Sequence, residues 1–121
     1  MTKVVIVAID GLQPAQVTAG YAPNLAAFAA GGVTFANHHS VYPTVTRTNV
    51  ASMTTGRLPG GHGLHGNALV VRDFDPDRAI PALLPELGSV EKKTGKVLLA
   101  PSLAEILAEH GKRYVAVTSG S

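Results

Sequence analysis

Residues 42–67 read Y-P-T-V-T-R-T-N-V-A-S-M-T-T-G-R-L-P-G-G-H-G-L-H-G-N, and the chain is best understood outward from them. Pro43 ends an extended approach. The run T-R-T-N-V-A-S-M-T-T that follows predicts a helix over residues 46–55, with Gly56 as its left-handed stop. A hydroxyl, Thr46, therefore falls where the backbone turns from extended to helical. There it meets unpaired N–H groups and the positive end of the helix dipole, a natural place for an anion. Asn49 follows three residues later on the same face, where its side-chain amide could donate to an oxygen of the same phosphoryl group. The plainer reading makes Thr46, or Thr44, an N-cap, the commoner task for threonine at a helix start.

Residues 4–9, V-V-I-V-A-I, are β-branched and small apolar residues, the pattern of a strand buried on both faces. Asp10-Gly11 ends it. Ligands of open α/β sheets bind beyond the carboxyl ends of strands, so Asp10 is a candidate metal ligand, against the alternative of a simple turn. Residues 23–30 read as a helix with Pro23 in its first turn and Gly31-Gly32 as its stop. Further strands are predicted over residues 33–42, 68–71 and 113–118, with a short extended piece at 96–100. Residues 57–66 read as a Gly-rich loop, and 72–95 as a polar surface excursion. Ser102-Leu103-Ala104-Glu105 is a capping box that opens a helix over about residues 101–110. This order predicts an α/β fold, a mostly parallel sheet flanked by helices. Two good strands and two weaker ones are few for so apolar a chain, so residues 1–121 read as the N-terminal fragment of a larger catalytic domain.

Composition narrows the function. With 45% hydrophobic and 15% charged residues, the chain is not of the disordered type. A formal charge of +2 with no basic stripe argues against nucleic-acid duplexes as partners. The absence of cysteine leaves oxygen and imidazole as the only metal donors. No signal peptide or membrane-length apolar run is visible, so the default compartment is the cytoplasm. Oligomeric state is not legible.

The histidines and the acidic cluster carry weaker signals. His38-His39 lie on opposite faces of any strand. His62-x-x-His65 has a chelating spacing on a loop rather than a helix, and His62 is better read as a brace for that loop. His110 sits where it favours the dipole of the last predicted helix. Asp73, Asp75 and Asp77 lack the Gly and terminal Glu of a calcium loop and read as solvated.

Taken together, three blocks resemble the alkaline phosphatase superfamily, most closely its nucleotide pyrophosphatase/phosphodiesterase branch. They are V-V-I-V-A-I-D-G at 4–11, A-P-N-L-A-A-F-A-A-G-G-V-T-F at 22–35, and the run from Pro43 through Asn67. The resemblance implies an alkaline-phosphatase-like fold of which only the N-terminal part is present. It also implies hydrolysis of phosphodiester or pyrophosphate bonds in a small phosphate ester or nucleotide. Thr46 would be the nucleophile and a metal ligand, Asp10 a second ligand and Asn49 the substrate-binding amide. Two divalent metal ions, expected to be Zn2+, are implied, with their remaining ligands beyond residue 121, so that the fragment alone is expected to be inactive. Arg47-Thr48 and Val50 depart from the family's usual residues beside the nucleophile. This keeps a phosphonoacetate-hydrolase-like enzyme open, and Arg47 could contact a substrate anion. A non-catalytic α/β binding module is the alternative from another class. A sulfatase-like hydrolase is set aside for want of its Cys or Ser nucleophile.

Overall fold

The structure is a computed structural model describing residues 3–118. It divides into two units, Met1–His39 and Ser40–Ser121. In the first unit the one α-helix among the described residues is α1, Pro23–Ala30. Its bounds are those the sequence predicts, with Pro23 at the first position, where its missing N–H costs nothing. A 3-10 turn, Pro14–Gln16, precedes it. Its entry is closed by the Gln16 side chain, whose Oε1 accepts from the Gln13 backbone N–H at 2.8 Å.

The second unit holds helices α2, Thr46–Thr55, and α3, Pro59–His62, then strands β1, Ala68–Val71, and β2, Asp75–Pro81. Helices α4, Leu84–Thr94, and α5, Leu103–Glu109, complete it. α2 and β1 have their predicted bounds. α5 begins at its capping box: Ser102 Oγ accepts from the Glu105 N–H, and the Glu105 carboxylate accepts from the Ser102 N–H. The Ser102 hydroxyl, which donates to the same carboxylate, and then the Ser102 N–H hold the Glu105 pKa below its ordinary value. At the other end the His110 ring bonds the Ile106 carbonyl at 2.8 Å, satisfying one of the last carbonyls of α5.

The sheet differs from expectation. Among the described residues it consists of β1 and β2 alone, and the two run antiparallel, with Ala68 opposite Pro81 and Leu69 opposite Ile80. Only residues 72–74 separate the strands, and a connection that short can close a hairpin but cannot make a parallel crossover. The mostly parallel sheet is therefore not formed here. Residues 4–9, 33–42 and 113–118 lack strand pairing, and residues 96–100 form no strand either. Val4 and Val5 are about four-fifths exposed. Strand-like composition describes a surface that suits burial; without a neighbouring strand to take its N–H and C=O groups, it makes no ladder.

Residues 72–95 are likewise ordered rather than a surface excursion, holding β2 and α4. Pro76 and Pro81 concealed the strand, but a two-stranded sheet consists of edges, where proline is tolerated. α4 carries Leu84, Leu87 and Val90 at three-residue spacing, with Gly95 at φ 79° as its left-handed cap. Ala51, Leu64 and Ala82 form the buried cluster, with Leu69, Leu87 and Leu98 packed against it. α2 packs on α3 and α5, and α4 on β2. The core thus draws one small residue from the helix that carries Thr46 and others from the hairpin and α4. The nucleophile candidate is anchored to the best-packed part of the chain.

Candidate active site

Thr46 is the first residue of α2, and the N-cap is Val45, in an extended conformation at φ −100° and ψ 145° with no side-chain cap. Neither Thr44 nor Thr46 caps this helix. Thr46 is exposed on the solvent side of the first turn. Two residues on, Thr48 is fully buried, and its Oγ1 meets no hydrogen-bond partner. α2 therefore turns one threonine of its first turn to solvent and drives another into the core.

Asn49 is not poised as a donor to an incoming anion. Its Oδ1 accepts from the Val41 N–H at 2.9 Å. Its Nδ2 lies 3.1 Å from the Val45 carbonyl, 3.3 Å from that of Pro43 and 3.4 Å from that of Val41. Both ends of the amide are spent on the segment leading into the helix. The Tyr42-Pro43 peptide within that segment is cis.

Beside Thr46, the Arg47 guanidinium donates from Nη1 to Asn67 Oδ1 at 3.1 Å. The Asn67 carbonyl in turn accepts from the Ala82 N–H at 2.8 Å. Asn67, which closes the stretch quoted above, was not singled out by sequence reasoning. Its only local signal is a Gly-Asn pair just before a strand, indistinguishable from turn chemistry.

His62 is fully buried and uses both ring nitrogens. Nδ1 accepts from the Leu64 N–H at 3.1 Å, and Nε2 lies 2.9 Å from Ser52 Oγ. A backbone N–H aimed at Nδ1 makes that nitrogen the lone-pair one, so the proton is on Nε2 and Nε2–H donates to Ser52. The pair cannot act as a Ser–His nucleophile in this tautomer, because the nitrogen facing the hydroxyl already bears a proton. The histidine braces α2, α3 and the loop together, as the sequence suggests, and with both nitrogens occupied it is no half of a metal chelate with His65. Gly63 follows at φ 83°, a backbone conformation that favours glycine, and a Cβ there would also press on the Leu99 side chain.

Burial, aided by the charge of His65, lowers the His62 pKa from 6.5. The unfolded chain therefore takes up a proton at a pH where the folded chain resists it. His62's contribution to stability is complete above about pH 6.5 and is lost as pH falls toward the folded-state pKa. Urea unfolding is expected to show stability falling between pH 7 and pH 5, and His62→Asn is expected to flatten that slope. A wild-type profile that is level through this range would contradict the assignment. The acidic groups with lowered pKa, Asp75 and Glu105, titrate below this window, their carboxylates being held down first by side-chain hydrogen bonds from Arg78 and Ser102 respectively.

Asp10 belongs to the first unit, in a turn that continues into Gly11 at φ 78°. Thr46 and Asn49 belong to the second. Among the described residues no group of three or more His, Asp or Glu side chains converges where a metal could sit. Asp10 and Thr46 offer oxygen donors of the right chemistry for a divalent ion, but the described residues do not complete a protein-built metal centre. Asp75 is taken up by Arg78 in an ion pair at 3.2 Å, and Asp73 and Asp77 are exposed, which is the solvated role their spacing suggests. No helix among the described residues is long and apolar enough to cross a membrane.

An exposed threonine thus heads α2, followed by an arginine bonded to Asn67. The sequence model for type I phosphodiesterase / nucleotide pyrophosphatase matches residues 4–95, about three quarters of the chain. The chain belongs to that family of hydrolases, which act on phosphodiester and nucleotide substrates. No curated protein and no solved structure matches it significantly.

Proposed function

We propose that this chain forms the N-terminal part of a metal-dependent phosphodiesterase or nucleotide pyrophosphatase in which Thr46 is the nucleophile. The observation that carries the reading is the placement of Thr46: exposed and first in α2, one residue beyond the N-cap Val45. Asp10 and the Thr46 oxygen would be ligands of a divalent pair such as zinc, which when bound supplies a lowered hydroxyl pKa and charge neutralisation at the phosphoryl oxygens.

The chain's own residues have the following parts. Thr46 Oγ1 gives up its proton and forms a bond to phosphorus as the bond from phosphorus to the leaving-group oxygen breaks, and the departing oxygen, of an alkoxide or a phosphate, takes up a proton. Water then attacks the phospho-threonine, releasing the phosphate product and restoring the hydroxyl. The N–H groups of the first turn of α2 favour the negative phosphoryl oxygens. Arg47 and Asn67, already bonded to each other, border that turn and add donors for the substrate's anionic group. Asn49, the substrate-binding amide that the resemblance implies, is turned instead to the carbonyls of Val41, Pro43 and Val45.

The apolar residues 4–9 and 114–117 face solvent and, on this reading, pack in a larger catalytic domain. That domain would also bring the missing metal ligands, and the 121-residue chain alone would then lack useful turnover. The test is to quench the complete enzyme during hydrolysis of a nucleotide p-nitrophenyl ester and map the nucleotide-bearing residue by mass spectrometry. A nucleotidyl adduct on Thr46 is the expected result; a labelled residue elsewhere overturns the assignment.

A further inference from the structure

We propose that Asn49 is a positioning residue: it acts on Thr46 by clamping the segment that leads into α2, and does not touch the substrate. This rests on the reading of Thr46 as nucleophile. The geometry is specific. A side chain in the first turn of the helix reaches back to take one N–H and approach three carbonyls of residues 41–45. An amide has two N–H donors and one acceptor oxygen, so three carbonyls around Nδ2 use its whole donating capacity and leave nothing for an anion.

The backbone repeats the tie, with the Asn49 N–H donating to the Val45 carbonyl at 3.1 Å and the Val45 N–H to that of Pro43 at 2.8 Å. Asn49 is half-buried while Thr46 is exposed, which suits a clamp beneath a reacting group. Residues 44 and 45 are all that separate the clamped Pro43 carbonyl from Thr46. Freeing the segment therefore moves the Thr46 oxygen relative to the helix N–H groups. A carboxylate could not replace this amide, since it would set a negative oxygen against three carbonyls. Glutamine would place its amide one methylene too far along.

The experiment uses the complete enzyme, with bis(p-nitrophenyl) phosphate as substrate and inorganic phosphate as competitive inhibitor. Asn49→Ala is expected to lower kcat about 10- to 100-fold, the cost of misplacing a reacting atom by ~1 Å. The inhibition constant of phosphate is expected to stay within about twofold, because an interaction that does not touch the ligand does not set its affinity. Amide hydrogen exchange at Val41 should accelerate in the same variant. Asn49→Ser, whose hydroxyl can still bond the Val45 carbonyl one turn back, should fall between the two and covers the case in which the alanine variant does not fold. A phosphate affinity that weakens in step with kcat would mean that Asn49 contacts the substrate, and overturns the proposal. So would unchanged kcat together with unchanged Val41 exchange. Thr46→Ala separates the two readings: if that variant keeps its rate, the nucleophile assignment itself has failed; if it is dead while Asn49→Ala is unimpaired, only the clamp has failed. An inactive parent enzyme overturns both.

Discussion

Thr46→Ala in the complete enzyme is expected to lower turnover by about three to six orders of magnitude, the range seen when a covalent nucleophile is deleted from its site. The physical case is narrow. Only Oγ1 and the Cγ2 methyl are removed, from a side chain exposed at the first position of α2. Alanine is a better helix former than threonine, so stability should change by no more than ~0.5 kcal/mol, as for exposed positions generally. Loss of activity with an unchanged unfolding curve is thus a chemical effect, separable from misfolding. Thr46→Ser keeps a hydroxyl at the same place and should retain a measurable part of the rate. A threonine-to-alanine variant with most of its activity would remove Thr46 from the mechanism.

The largest effect on stability is expected at a different place, Ile80→Ala. Ile80 is 1% exposed, among the largest fully buried side chains of the described residues, and stands opposite Leu69 in the hairpin. Truncating a buried isoleucine costs about 2–5 kcal/mol, part lost transfer energy and part the cavity left behind. A domain of ordinary stability holds only about 5–15 kcal/mol in total, so the variant should unfold at a clearly lower urea concentration. Ile80→Val, with one methyl lost, should cost about 0.5–1.5 kcal/mol. Equal midpoints for the alanine variant and the parent would mean that the hairpin is not part of the cooperative unit.

Helix α2 was legible to the residue because its signals are local: an extended approach through Pro43, a run free of breakers, and Gly56 at the end with φ 65°. The capping box of α5 and the Pro-led α1 were readable for the same reason. β2 was not, since Pro76 and Pro81 look like breakers until the strand is known to lie at an edge. The failed strands show the converse. Residues 4–9 have the composition of a buried strand, but composition cannot supply the neighbour whose backbone would pair with them.

Side-chain roles divide along the same line. That Thr46 would stand at the head of a helix, and that His62 would brace its loop, followed from the order of residues, because each depends on groups a few positions away. The employment of Asn49 by the carbonyls before the helix, the pairing of Arg47 with Asn67 twenty residues on, and the antiparallel closure of β1 on β2 depended on how the chain returns on itself. Local sequence sets which backbone groups go unpaired; only the folded path decides which side chain arrives to meet them.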